Sequence, residues 1–456
     1  MDLPNQYLQN MQNLLGDEYP EFAASFSCNS YHGLRVNNLK IKTEEISHYI
    51  KEQLDRIPYV ENGYYYNDDF RPAKSSFYNA GLFYLQEPSA MLPADRLPIN
   101  EGDLVLDLCA APGGKSTAIL SKLNSTGFLL SNDYSYSRAQ ALLKNLELFG
   151  GSNYAVCAED PDKLAGIYKD TFDKIIVDAP CSGEGMFRKD PSLIKDWVER
   201  GPEYYAPLQR RILESAVSML KPGGMLMYST CTFSPLEDED NINNLLSKHP
   251  ECSPVNINKN YGIMPGLYNL SEAARVFPNK VKGEGHFLCL IQKINDDSVT
   301  GVKTESIKYD AAIQKSDELK DFIKKINKDI HFSRLFLIKD SIYYLPDGYE
   351  TIYRSSVRFL RTGLLIGEID KNRHFKPSTS LALSLKVNDF SNTLNLSSAD
   401  IRVEKYLKGE TVFVSEEDGK CNNGIVMICV DDFGLGFGKL SGNTVKNLLG
   451  KGYIKN

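Results

Sequence analysis

Apolar residues fall at helical spacing in the opening stretch, at Tyr7, Leu8, Met11, Leu14 and Leu15, and Gly16 stands where such a helix would stop. Residues 34–41 then alternate like a strand, and 44–54 have a helical period, so 1–90 predict a small α+β module. From 91 to 295 the pattern changes. Strand-like, apolar-rich runs at 104–107, 128–132, 172–177 and 225–228 alternate with helical stretches at 115–123, 139–149 and 208–220, and strands at 276–278 and 286–291 complete the series. Such alternation predicts an α/β domain with a Rossmann-like, doubly wound sheet. Residues 296–330 are polar until Leu319, Phe322, Ile323 and Ile326, which predicts a linker and one amphipathic helix capped by Ser316. Beyond 331 the runs are strand-like and separated by turn signals, so 331–456 predict a small β-barrel.

At 456 residues the chain needs two or three cores. Its start lacks a basic-then-apolar leader and no run reaches membrane-span length, so it is expected in the cytoplasm, with no membrane partner. Nine cysteines without a C-x-x-C pair argue against a disulfide framework and a structural zinc site, and no metal is expected. A net charge of −7 disfavours general coating of nucleic acid but allows a local basic patch. Two groups could form one: Arg354, Arg358, Arg361, Lys371 and Arg373, and Lys439, Lys446, Lys451 and Lys455. Arg35 and Lys40 read as solvated charges, with a nucleic-acid contact as the sharper alternative.

The chemistry centres on Leu106-Asp107-Leu108-Cys109-Ala110-Ala111-Pro112-Gly113-Gly114-Lys115, a strand running through a small-residue turn into a helix. Backbone N–H groups at such a turn, with the helix start behind them, let a nucleotide-like ligand approach closely. A phosphate-cradling P-loop would need glycine where Cys109 stands, although Ile175-Ile176-Val177-Asp178 imitates a Walker-B strand. Asp133 ends the next strand, twenty residues beyond Gly113, where dinucleotide folds place an acid on ribose hydroxyls. Ligands of open α/β sheets bind at carboxyl ends of strands, so the loops at 109, 133, 160, 178 and 231 are expected to share a cleft. Cys181 and Cys231 stand in two of those loops, and either is a candidate nucleophile. Ser234-Pro235-Leu236-Glu237 reads as a capping box that starts a helix just beyond Cys231.

Pro180-Cys181-Ser182-Gly183 and Ser229-Thr230-Cys231-Thr232, together with that loop, Gln86-Glu87-Pro88-Ser89 and Gly283-Glu284-Gly285-His286-Phe287, resemble the Nol1/Nop2/Sun family of RNA cytosine-5 methyltransferases. The extension with Gly434-Leu435-Gly436-Phe437-Gly438-Lys439 resembles the branch that modifies small-subunit ribosomal RNA and ends in a PUA-like RNA-binding barrel. The resemblance implies S-adenosylmethionine as cofactor, held by Cys109, Ala110, Ala111, Pro112, Gly113, Gly114 and Lys115, by Asp133 with Arg138, and by Asp160 and Asp178. It implies Cys231 as nucleophile, Cys181 assisting product release, and Asp178 bonding near N3 of the cytosine. The implied substrate is 16S ribosomal RNA near the decoding region, free or in the small subunit; the sequence does not fix the oligomeric state, for which a monomer is the expectation. The alternatives are a noncatalytic RNA-binding protein on a methyltransferase fold and a P-loop-like NTPase.

Overall fold

The structure is a computed structural model that describes residues 2–294, 304–305, 313, 316–370 and 374–455. The opening helix runs Asn5–Leu15 and stops at Gly16, whose φ of 53° suits a residue without Cβ. Four short strands follow, β1 His32–Val36, β2 Asp55–Arg56, β3 Gly63–Tyr66 and β4 Phe83–Leu85, in antiparallel order β2-β3-β1-β4. The strand expected over 34–41 ends at Val36. The Asn37 amide turns inward and donates to the carbonyls of Gly81 and Phe149, each at 2.7 Å. The helix expected over 44–54 shrinks to one turn, Ile46–Tyr49.

The next nine strands are β5 Leu104–Asp107, β6 Phe128–Asn132, β7 Tyr154–Cys157, β8 Phe172–Asp178, β9 Leu220–Thr230, β10 Cys252–Val255, β11 Met264–Pro265, β12 Ala274–Val276 and β13 His286–Lys293. They share one sheet, in which the path β11-β12-β13-β9-β8-β5-β6-β7 is parallel from β9 to β7, and β10 pairs with β13. Successive residues serve opposite faces. Leu106, Leu130 and Ile175 pack in one core, while Val105, Leu129 and Ile176 pack in the other. Burial on both faces explains why these strands read as apolar-rich runs.

The strands beyond 331 divide into two sheets. β14 Leu335–Ile338, β15 Ser341–Tyr344, β17 Leu364–Ile369 and β18 Phe375–Pro377 form a curled antiparallel sheet. β19 Thr393–Leu396, β20 Val412–Phe413, β21 Gly424–Val430, β22 Phe433–Ser441 and β23 Thr444–Asn447 form the last, in the order β19-β21-β22-β23-β20. Between β15 and β17 in the chain, β16 Phe359–Thr362 leaves its neighbours and pairs antiparallel with β7, as the outermost strand of the central sheet. An Arg361–Glu147 ion pair of 2.6 Å fastens it, and the Tyr453 hydroxyl donates to the same carboxylate. The amphipathic helix spans Asp317–Ile323, and Ser316 accepts from the Leu319 N–H as its cap.

Several basic residues lie elsewhere than expected. Arg35 and Lys40 are buried, Arg354 is buried over the Tyr168 ring, and Arg361 is spent on Glu147. None of the four is surface charge. Arg358 lies over the Tyr136 ring, while Lys439, Lys446 and Lys451 are exposed. Lys371 and Arg373 fall outside the described residues. Among the described residues no helix is long and apolar enough to cross a membrane.

Candidate active site

Every loop named from the sequence lies at the carboxyl edge of the parallel strands. After β5 the chain turns through Gly113, whose φ of 114° excludes most side chains, into the helix Gly114–Leu123. A Cβ on Gly114 would meet the Gln86 amide at 2.7 Å, so the N-terminal module is pressed against the turn. Arg35 completes that contact. Its Nη2 donates to the Gly114 carbonyl at 2.8 Å and to Thr117 Oγ1 at 2.7 Å.

Asp133 accepts from the Ala111 N–H at 3.3 Å and the Ser135 N–H at 3.0 Å, which ties β6 to the loop after β5. Arg138 donates to the Ala111 carbonyl at 3.0 Å and approaches Asp133 to 3.4 Å. Asn132 bridges the carbonyls of Leu108 and Glu159 and so joins the ends of β5, β6 and β7. One oxygen of Asp160 caps the helix Pro161–Ile167 through the Asp162 N–H, and the other takes Arg211 at 2.7 Å.

Asp178 ends β8. Lys115 Nζ stands 2.6 Å from its Oδ2, the Ser229 hydroxyl donates to Oδ1 at 2.8 Å, and His286 Nε2 lies 3.6 Å away. Burial would raise this carboxyl, but Lys115 and His286 outweigh it and hold it well below the usual carboxylate range. Asp107 differs. Burial pushes it up to about 7 despite a Ser116 hydroxyl at 2.7 Å, and its Oδ1 is buried with no hydrogen-bond partner among the described residues.

The Sγ atoms of Cys181 and Cys231 lie 3.2 Å apart. The hydrogen bond to Cys231 and then burial raise the Cys181 thiol well above its ordinary value. Cys109 is also pushed up, by burial and then by Asp107, and is a poor nucleophile. The capping box does not form. The helix begins at Glu239, and the Glu237 side chain crosses instead to Ser182 and Gln209. Sequence reasoning missed the parts played by His286, by Glu237, read there as a capping-box acid, and by Arg35, read there as a solvated charge or a nucleic-acid contact. His286 alone carried a signal, as part of the Gly283-to-Phe287 motif.

The donor set decides which ligand fits. A phosphate cradle needs a free cation, and Lys115 is already paired. Carboxylates end β5, β6 and β8, one with an unused buried oxygen. They suit a ligand rich in donors and positive charge, such as the ammonium, sulfonium and ribose hydroxyls of S-adenosylmethionine. Among the described residues no three His, Cys, Asp or Glu side chains group as a metal site.

Fold and cleft together define an S-adenosylmethionine-dependent methyltransferase. Sequence profiles match nearly the whole chain in succession: the N-terminal domain of 16S rRNA methyltransferase RsmF over 3–88, 16S rRNA methyltransferase RsmB/F over 94–292, the RsmF first C-terminal domain over 321–385, and the RsmF PUA domain over 392–455. Ribosomal RNA small subunit methyltransferase F of Vibrio campbellii is 28% identical, covering 99% of this chain and 98% of the relative. Its counterpart from Aeromonas salmonicida is 29% identical over 99% and 97%. A methyltransferase homologue from Pyrococcus horikoshii superimposes with a TM-score of 0.54 at 26% identity, covering 64% of this chain and 100% of that one. NSun6 from the same organism, solved with the S-adenosylmethionine analogue SFG, gives 0.58 at 24% over 64% and 99%. The chain belongs to the RsmF methyltransferase family.

Proposed function

We propose that this protein methylates carbon 5 of a cytosine in 16S ribosomal RNA near the decoding region, in the cytoplasm, through a covalent bond between Cys231 and carbon 6. The observation that carries the reading is the thiol pair, 3.2 Å between sulfurs, in which burial and the contact itself raise the Cys181 thiol. Cytosine C5 is a poor nucleophile. Addition of the Cys231 thiolate to C6 places electron density on C5. N3 takes a proton from solvent as the adduct forms, and the Asp178 carboxylate, ionised and braced by Lys115, accepts hydrogen bonds from that N3–H and the neighbouring amino group and so stabilises the adduct.

S-adenosylmethionine, when bound, supplies an electrophilic methyl group; Cys109 to Lys115, Asp133, Arg138, Asp160 and Asp178 would hold it. A base in the cleft then takes the C5 proton, the C6–S bond breaks, and the electron pair returns to Cys231 as the C5–C6 double bond reforms. The Cys181 S–H donates to the departing sulfur and lowers the cost of its charge. The target base must leave its stack to expose C6, which favours an RNA loop or an opened helix.

The test is incubation with methyl-labelled S-adenosylmethionine and either small subunits or naked 16S RNA, with nucleoside analysis and denaturing gels. Wild type is expected to yield 5-methylcytosine, Cys231→Ala none, and Cys181→Ala a stable protein–RNA adduct. Full activity in Cys231→Ala overturns the nucleophile assignment. RNA binding without label transfer by wild type favours the noncatalytic reading.

A further inference from the structure

The two thiols lie on separate loops, three residues past Asp178 and one past Thr230, where β8 and β9 no longer pair. Something else must set their separation. The residue after each cysteine carries a hydroxyl, and Ser182 Oγ lies 2.8 Å from Thr232 Oγ1. Glu237 binds that junction from behind. Its Oε2 accepts from the Ser182 N–H at 3.0 Å and from Gln209 Nε2 at 2.8 Å, and its Oε1 accepts from the Ser182 hydroxyl. Gln209 also donates to the Pro180 carbonyl at 2.9 Å, so the chain is gripped on both sides of Cys181. On the other loop the Gly185 N–H donates to the Cys231 carbonyl at 2.8 Å.

Glu237 is fully buried, yet none of its donors among the described residues is a cation. The guanidinium of Arg275 is taken by Asp238 and Glu239, and that of Arg210 donates to Asn241. A buried carboxylate with neutral partners is expensive, and a hydrophobic residue would fill the space at less cost. What the carboxylate offers is acceptors on both oxygens, a fork that takes the N–H and the hydroxyl of one residue together.

We infer that Glu237 is a positioning residue that sets the distance between Cys181 and Cys231 through Ser182 and Thr232, and thereby governs release of the methylated base more than methyl transfer. The second half rests on the role proposed above for Cys181. The first half rests on the hydrogen bonds alone.

Two readouts separate them. In the intact protein, diamide, a dithiol oxidant, converts the pair to a disulfide, and mass spectrometry follows the cross-linked peptides. Closure is expected to slow at least tenfold in Glu237→Ala and Ser182→Ala. It should stay near wild type in Glu237→Gln, whose amide oxygen replaces Oε2 while its NH2 donates to a reoriented Ser182 hydroxyl. The Ser182→Ala variant removes a single hydroxyl and keeps the reading independent of any folding defect in Glu237→Ala. Unchanged closure in both overturns the proposal. In single-turnover methylation, Ser182→Ala is expected to transfer within threefold of wild type while adduct accumulates and turnover falls about tenfold. Equal loss of transfer and turnover overturns the release role. If wild type methylates no RNA, the reading of Cys181 fails, and closure rates still decide whether Glu237 sets the spacing.

Discussion

Lys115 Nζ sits 2.6 Å from Asp178 Oδ2, so the lysine of the glycine-rich turn is committed to the strand two positions away from the one that leads to Asp133. Asp178→Asn leaves the buried ammonium without its counter-charge. With the carboxylate one-third exposed, the expected cost is about 2 kcal/mol, below that of a fully buried pair. Label transfer is expected to fall at least a hundredfold, the size of a lost electrostatic contact in a transition state. Urea denaturation and methylation assays check the two. The wild-type carboxyl is depressed in the fold, so its contribution to stability is present above about pH 4 and is lost only as the pH falls below that.

Arg35 reaches from the N-terminal module to the first turn of the cofactor helix. Burial lowers it to about 10, still cationic at neutral pH. Arg35→Met removes both hydrogen bonds to that turn, and the affinity for S-adenosylhomocysteine is expected to drop about tenfold, the equivalent of one hydrogen bond of roughly 1.4 kcal/mol. Isothermal titration measures it, and unchanged affinity would show that the module leaves the cofactor loop unaffected.

Thiol reactivity should rank the cysteines. Cys157, Cys289 and Cys429 are buried and their thiols are pushed up by burial, so they are expected to resist iodoacetamide. Exposed Cys28 should react, and of the cleft pair Cys231 should alkylate before Cys181. Peptide mapping at pH 8 gives the order. Faster labelling of Cys181 would reverse the roles.

Glu237 predicts nothing about pH from its sequence neighbours, but in the fold burial pushes it up to about 7 against an ordinary 4.5. A raised acid stabilises the fold while protonated: the contribution is complete below about pH 4.5 and is lost as the pH rises through 7. The advantage of wild type over Glu237→Gln is therefore expected to shrink between pH 5 and 8, by up to about 3 kcal/mol. Urea melts of both proteins across that range provide the check. A constant difference would mean that Glu237 titrates normally.

Arg361→Met is expected to cost about 3 kcal/mol, because it leaves Glu147 buried and unpaired at the seam between β16 and the central sheet. Adding Glu147→Leu should recover part of that loss in denaturant melts. Additive losses would mean that the pair contributes nothing as a pair.

What the sequence disclosed followed periodicity and local chemistry. The run into Asp107, the turn at Gly113, Asp133 at its twenty-residue spacing and the Ser316 cap all depend on neighbours along the chain. Other features depend on partners far away. Arg35 looked like solvent-facing charge because nothing near it in sequence indicates Gly114 and Thr117. Glu237 fitted a capping box with Ser234, but two hydrogen bonds from Ser182 and one from Gln209 outcompete a single N–H at a helix end. That the two cysteines meet at all, with their sulfurs 3.2 Å apart, depends on two loops fifty residues apart in the chain.

Phe359–Thr362 completes the central sheet from more than 200 residues beyond the strand it covers. A ribosome makes this chain from its N-terminus, so the cofactor turn and both thiols emerge while the outer amides of β7 are still bare. An uncovered strand edge is a template for pairing with other chains. Truncated products that stop after residue 294 would therefore carry both thiols and the whole glycine-rich turn, and are expected to aggregate through that bare edge.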